Sequence, residues 1–251
     1  MRFFARLSYK GTKYHGWQIQ PNAISIQEEL EKAFSTILQT KTAITGAGRT
    51  DSGVHAKNYI AHFDMDNPLF TNDLDNLIYK LNALLPIDIA IHEINAVKDN
   101  AHARFDAKSR TYKYYISKHK DAFNYELSWL RFGKLNLDLM NNACEILMTY
   151  NDFTSFAKLH TDNKTNNCVI KTAFWKESDT KIVFEITADR FLRNMVRSIV
   201  GTMVSIGLER LSLNDFKNII ESKNRNNAGV SAPASGLFLK KIVYPKEIYL
   251  A

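Results

Sequence analysis

Apolar and polar positions along the chain repeat with two different periods, and the places where the period changes mark the elements. Residues 1–9, Met-Arg-Phe-Phe-Ala-Arg-Leu-Ser-Tyr, alternate and read as a first strand. After the loop Lys10-Gly-Thr-Lys-Tyr-His-Gly-Trp17, the run Ser25-Ile-Gln-Glu28 has the form of a capping box opening a helix. Ile26, Leu30, Ala33, Phe34, Ile37 and Leu38 share one face of that helix, which should lie on a sheet. Residues 59–63 predict a strand. Leu74, Leu77, Ile78, Leu81 and Leu85 mark a second helix that Pro86 ends, and residues 89–97 return to strand.

A second cycle follows. Residues 110–116 predict a strand, Met140, Ala143, Ile146 and Leu147 a helix, and residues 169–177 and 182–188 a hairpin across Ser178-Asp-Thr-Lys181. A long helix is expected from about Phe191. Ser212-Leu-Asn-Asp215 carries an N-cap signal for another helix, and residues 236–244 close as a strand before Pro245. The alternation predicts an α+β fold, with helices layered on one face of a sheet and two similar halves. His102-Ala-Arg-Phe-Asp-Ala107 lies between the cycles and sets the expected halves at 1–106 and 107–251.

Composition narrows the class. The 251 residues are 45% hydrophobic, enough for a real core, and the formal charge of +7 favours an anionic partner, nucleic acid first. Cys144 and Cys168 are too few for a disulfide framework and lack metal-ligand spacing, which points to a reduced compartment, the cytoplasm. The start is charged too early for a signal peptide. The apolar run from Phe191 to Leu208 is broken by Arg193, Asn194 and Arg197, each costly in lipid, so a soluble helix is expected there.

Several motifs fail on inspection. Gly11 and Gly16 have Walker-like spacing, but Trp17 and Gln18 stand where a phosphate loop needs Lys and Ser or Thr. Gly46, Gly48 and Gly53 miss the dinucleotide fingerprint because the third glycine comes too late. His92-Ile-Glu lacks the Pro-Cys-x-x-Cys partner of a zinc deaminase, and no metal site is expected. Ser52 has no nucleophile elbow. Lys223-Asn-Arg-Asn-Asn227 reads as a solvated turn, although its two cations could meet phosphates.

The stretch Gly46-Ala-Gly-Arg-Thr-Asp-Ser-Gly-Val-His-Ala56 is different, for it holds Asp51 between glycine bends with Arg49 two positions before it. A lone loop aspartate most often makes an Asx-turn or caps a helix. Here a basic counterpart is available. Arg190, Arg193, Asn194, Arg197 and Gly201 recur at spacings of three and four and would form one polar stripe on a helix. A nearby cation favours the charged form of a carboxylate, and an ionised carboxylate serves as nucleophile or base.

Residues 47–55, Ala-Gly-Arg-Thr-Asp-Ser-Gly-Val-His, resemble the signature of the tRNA pseudouridine synthase A family. Tyr14-His-Gly-Trp-Gln18, His102-Ala-Arg-Phe105, Arg110-Thr-Tyr-Lys-Tyr114, Asn151-Asp-Phe-Thr-Ser-Phe156, Asn194-Met-Val-Arg-Ser-Ile-Val-Gly201 and Ala232-Pro-Ala-Ser-Gly-Leu-Phe-Leu239 resemble further family segments, in the family's order and over nearly the whole chain. Ser52 stands where alanine is frequent, Lys10 where Asp or Asn is usual, and Arg193 where some relatives carry histidine.

The resemblance implies two RRM- or ferredoxin-like halves forming a continuous, mostly antiparallel sheet, with helices on one face and an active-site cleft between the halves. It implies isomerisation of uridine to pseudouridine at positions 38, 39 and 40 in tRNA numbering, in the anticodon stem and loop, without a cofactor and by a homodimer. Residue by residue, the essential aspartate falls on Asp51, the base-extruding arginine on Arg49, the tyrosine packing on the uracil on Tyr112 and the basic partner on Arg197. Thr50, Asn194 and Leu237 join Tyr112 as substrate-binding residues. Whether Asp51 attacks the ribose, adds to the ring or removes a sugar proton stays open, since all three need the same anion. Two other readings are a noncatalytic RRM-like binder, which gives Asp51 no task, and uridine modification of ribosomal or small nuclear RNA.

Overall fold

The computed structural model describes residues 1–158 and 164–250, which carry nine strands and six α-helices in an α+β arrangement. They divide into two compact units. One comprises Met1–Lys108 with the C-terminal segment from Leu239, and the other Ser109–Phe238. Residues 239–250, placed by the sequence-based division in the second half, thus pack with the first.

The first unit runs β1 (Arg2–Tyr9), α1 (Ile26–Leu38), β2 (Thr45–Gly46), β3 (His55–Asp64), the short α2 (Pro68–Thr71), α3 (Leu74–Leu84) and β4 (Ile89–Val97). β1 lies between β3 and β4, antiparallel to both, and β2 pairs antiparallel with β3. Apart from α2, this is the βαββαβ order of ferredoxin-like folds. Ser25 Oγ accepts from the backbone N–H of Glu28 to start α1, whose buried residues are Ile26, Leu30, Ala33, Phe34 and Leu38. The Phe34 ring meets Phe63 edge-on at 4.7 Å, and Phe63 stacks on Phe3 at 5.6 Å, which seats the helix on the sheet.

Strict alternation fails in β1. Phe3, Phe4 and Ala5 are all buried, because the face away from α1 has its own cover: Phe4 and Ile60 pack with Ala47, Ala101, Ala103, Tyr244 and Ile248. His62 lies among these residues and its Nδ1 accepts from the backbone N–H of Ala103 at 3.1 Å. Burial, with Arg2 and His102 nearby, pulls the His62 pKa from 6.5 down to about 4. The unfolded chain therefore binds a proton that the folded chain refuses, so this contribution is intact above pH 6.5 and lost as the pH falls toward 4. We expect His62→Gln to flatten the drop in unfolding free energy over that interval by on the order of 1–3 kcal/mol. Denaturant titrations at several pH values check it, and parallel slopes for both proteins would exclude His62 as the cause.

The second unit runs β5 (Ser109–Ser117), β6 (Trp129–Leu130), α4 (Leu137–Met148), β7 (Ile170–Glu177), β8 (Lys181–Ala188), α5 (Met195–Gly207) and α6 (Leu213–Glu221). β9 (Leu237–Val243) begins in this unit and ends in the first. β8 lies between β5 and β7, antiparallel to both, while β6 runs parallel to β5. Along β8, Ile182, Phe184, Ile186 and Ala188 are buried, and the alternate residues are half-buried. Trp175 stacks on Phe184 at 4.7 Å and its Nε1 donates to Met203 Sδ of α5 at 3.4 Å, so the methionines of this helix are packing residues. Ser212 and Asp215 complete a reciprocal capping box on α6.

The polar stripe expected from Arg190 to Gly201 does not form. α5 starts only at Met195, because Asn194 adopts a left-handed φ of 66°. Asp189 Oδ1 accepts from the backbone N–H groups of Val169 and Arg190, holding the approach as a turn. Arg190, Arg193 and Asn194 precede the helix, and only Arg197 and Gly201 lie on it. Among the described residues no helix is long and apolar enough to cross a membrane.

Candidate functional site

The loop carrying Asp51 leaves β2 at Gly46 and enters β3 at His55, so a strand pairing fixes each end. Its floor is aromatic. Trp17 stacks on Tyr59 at 4.1 Å, Tyr9 lies 5.6 Å from Tyr59, and all three rings are buried. Tyr59 Oη donates to the Gly48 carbonyl and accepts from the Gly48 N–H. Tyr9 Oη and Thr50 Oγ1 are hydrogen-bonded at 2.9 Å, which anchors Thr50 inward. Thr50 is buried, whereas Arg49 is exposed and Asp51 half-buried. The buried threonine thus stands between an exposed arginine and a half-buried aspartate.

The second wall is the 10–17 loop. Trp17 N–H donates to the Thr50 carbonyl at 3.2 Å, and the Tyr14 carbonyl accepts from Gly53 N–H at 3.3 Å and Ser52 Oγ at 3.2 Å. His55 Nδ1 accepts from Gly11 N–H at 3.0 Å. A Cβ on Gly11 would sit 2.0 Å from the Val54 carbonyl oxygen, and one on Gly16, whose φ is +92°, 2.3 Å from that of Thr50. The two glycines rejected above as a phosphate loop are there so that two backbones can touch. Asp51 itself heads a turn, its carbonyl accepting from Val54 N–H at 3.1 Å, with Gly53 at φ +77°. Tyr14, buried at the base of this loop, bonds Asp88 Oδ1 at 2.5 Å.

In the second unit, Tyr112 on β5 is half-buried and its ring meets Phe191 edge-on at 5.1 Å. Tyr114, two residues on, is fully buried and donates to the Pro233 carbonyl at 2.7 Å. Desolvation raises its pKa well above the usual phenol range. Arg197, in the first turn of α5, donates from Nε to the Ala232 carbonyl at 2.8 Å, and its own carbonyl accepts from Ala232 N–H at 2.9 Å. Asn194 Nδ2 donates to Ser231 Oγ at 2.7 Å. Segment 229–232 comes this close because α5 carries Gly201, where a Cβ would lie 1.8 Å from the Val230 carbonyl oxygen. Leu237 is buried at the start of β9.

Arg49, Thr50 and Asp51 thus share one loop of the first unit, while Tyr112, Asn194, Arg197 and Leu237 belong to the second. Sequence reasoning overlooked Tyr9 and Tyr59, since aromatic residues in strands look like ordinary core, and it overlooked segment 228–231. The cations of Lys223 and Arg225 have internal partners: Lys223 Nζ pairs with Asp152 at 3.0 Å, and Arg225 bonds the following loop. Among the described residues no group of three or more His, Cys, Asp or Glu side chains could hold a metal ion.

The class of the chain shows first in its second unit, where a family model described as tRNA pseudouridine synthase matches residues 143–245, a stretch that does not include the Arg49-Thr50-Asp51 loop. Near full-length relatives narrow the class. A protein of Parabacteroides distasonis is 52% identical over 248 residues, 99% of this chain and 98% of its own length. One of Bacteroides fragilis is 54% identical over 250 residues, again 99% and 98%, and one of Chlorobaculum tepidum is 38% identical over 240 residues, 95% and 96%. All three bear the name tRNA pseudouridine synthase A. The chain belongs to the tRNA pseudouridine synthase A family.

Proposed function

We propose that this protein isomerises uridine to pseudouridine in tRNA, at positions 38, 39 and 40 of the anticodon stem and loop, using Asp51 and no cofactor. The observation that carries the reading is the Asp51 loop. Thr50 is pinned below by Tyr9 and the backbone is clasped by residues 11–17, so a carboxylate and a guanidinium are displayed from a scaffold with little freedom. Such rigidity suits a group that must meet one atom of a substrate.

A paired, stacked nucleotide hides its glycosidic bond, so the uridine has to leave the helix first. Arg49, exposed beside Asp51, is the residue to occupy the vacated space. Tyr112, braced edge-on by Phe191, offers the flipped uracil a face, and Leu237 an apolar wall. Thr50 and Asn194 complete the substrate-binding set, and Arg197 is the cationic group of the site. The reaction breaks the bond from C1′ to N1, turns the uracil in place, and joins C1′ to C5. N1 ends protonated and the C5 hydrogen leaves to solvent. Detached uracil carries little to hold it except stacking and shape, so apolar walls serve retention. We further propose a homodimer in the cytoplasm, because tRNA is larger than one chain and the basic charge of +7 suits it.

Tritium release from C5-labelled uridine tests this. Unmodified bulk tRNA should release tritium with the protein present, and sequencing should place pseudouridine at 38–40. Release from ribosomal RNA alone would refute the tRNA assignment, and no release from either would refute the activity.

A further inference from the structure

The half-buried guanidinium of Arg225 has no task in the reaction outlined above, yet it is committed to three acceptors. Its Nη1 donates to the carbonyls of Ala228 at 3.3 Å and Gly229 at 3.2 Å, and its Nη2 to Ser231 Oγ at 3.0 Å. Ser231 Oγ also accepts from Asn194 Nδ2 at 2.7 Å, which fills both lone pairs of one hydroxyl. The next residue, Ala232, is bonded to Arg197 twice, through the Arg197 side chain and through its carbonyl. Gly229 N–H donates to Thr202 Oγ1 at 2.9 Å, one helical turn beyond Ser198 on α5.

These bonds form a chain of causes. Arg225 fixes the backbone of 228–231, that backbone fixes the Ala232 carbonyl, and the carbonyl fixes Nε of Arg197. A planar guanidinium held at Nε has the directions of both Nη atoms set by that bond. Hydrogen bonds, not side-chain burial, set the path of the segment, since Val230 is 89% exposed between two hydrogen-bonded neighbours. Such an arrangement costs burial of an apolar side chain and gains nothing for the core.

We propose that Arg225 is a positioning residue for the Arg197 guanidinium, acting through segment 228–232. The proposal rests on the role given to Arg197 above, and the experiment separates the two. Lysine keeps the charge but has no planar fork to serve three acceptors, so Arg225→Lys is the informative change. Single-turnover rate, tRNA affinity and melting temperature are measured for Arg225→Lys, Arg197→Lys and the double variant. We expect Arg225→Lys to slow the single turnover by about 10- to 100-fold with affinity within about threefold of wild type. The double variant should be no slower than Arg197→Lys, as expected for residues acting in series. Ser231→Ala, which removes the shared acceptor without touching Arg225, should lose about 3- to 10-fold and guards against a folding defect in the lysine variant.

A multiplicative loss in the double variant, or a normal rate for Arg225→Lys beside a slow Arg197→Lys, would overturn the positioning role and leave Arg197 standing. A normal rate for Arg197→Lys overturns both. A lowered melting temperature with unchanged rate below it would make Arg225 a structural residue only.

Discussion

Asp51→Asn is expected to lower pseudouridine formation by on the order of 10⁴-fold or more, with tRNA affinity within about threefold of wild type and stability within about 0.5 kcal/mol. Asparagine has the size of aspartate and can replace it in a turn, so the backbone and neighbouring side-chain contacts that hold the loop stay in place. The Asp51 carbonyl still accepts from Val54, Thr50 still bonds Tyr9, and Tyr59 still holds Gly48. What disappears is the anion, which each of the three possible first steps requires. The half-buried position makes the experiment clean, since the side chain is no core element. Tritium release under single-turnover conditions, with filter binding and melting measured in parallel, gives all three quantities. A rate within tenfold of wild type would falsify the assignment of the chemistry to Asp51.

Gly16→Ala should have the second largest effect, although residue 16 carries no functional group. At φ +92° an L-residue is strained by about 1–2 kcal/mol, and the added methyl carbon would lie 2.3 Å from the Thr50 carbonyl oxygen. Backbone cannot swing aside as a side-chain tip can, so the 14–17 segment and the Asp51 loop must separate. The bond from Trp17 N–H to Thr50 then lengthens, and the stacked Trp17–Tyr59 floor shifts with it. We expect a loss of about 2–4 kcal/mol in stability and at least about 100-fold in turnover below the melting temperature, since displacements near 1 Å are enough for that. Gly48→Ala is the control, because a Cβ there meets nothing within 4 Å. Equal activity of the two alanine variants would show that the close approach at Gly16 is unimportant.

The elements themselves were legible in the sequence because their cues are local. Pro86 and Ser25 bound helices through their own backbone chemistry, and residues 89–97 emerged as β4 with the expected limits. β2, only two residues long, gave no period to detect, yet it launches the Asp51 loop. α5 was placed four residues too early, because apolar Phe191 and Leu192 continue its pattern while the left-handed Asn194 breaks its backbone. A period of hydrophobicity does not report φ.

The candidate site divides along the same line. Sequence by itself singled out the side chains proposed for the chemistry, Asp51, Arg49, Tyr112 and Arg197, because charge and aromaticity are properties of residues and their order in a motif survives without coordinates. Only the tertiary structure decided what holds them. Tyr9, Trp17 and Tyr59 come from three separate segments to floor the loop, Gly11 and Gly16 exist for backbones distant in sequence, and Arg225 reaches Arg197 through Ser231 and Ala232. Those contacts depend on distances between segments that folding alone brings together, and no local pattern of residues encodes a distance.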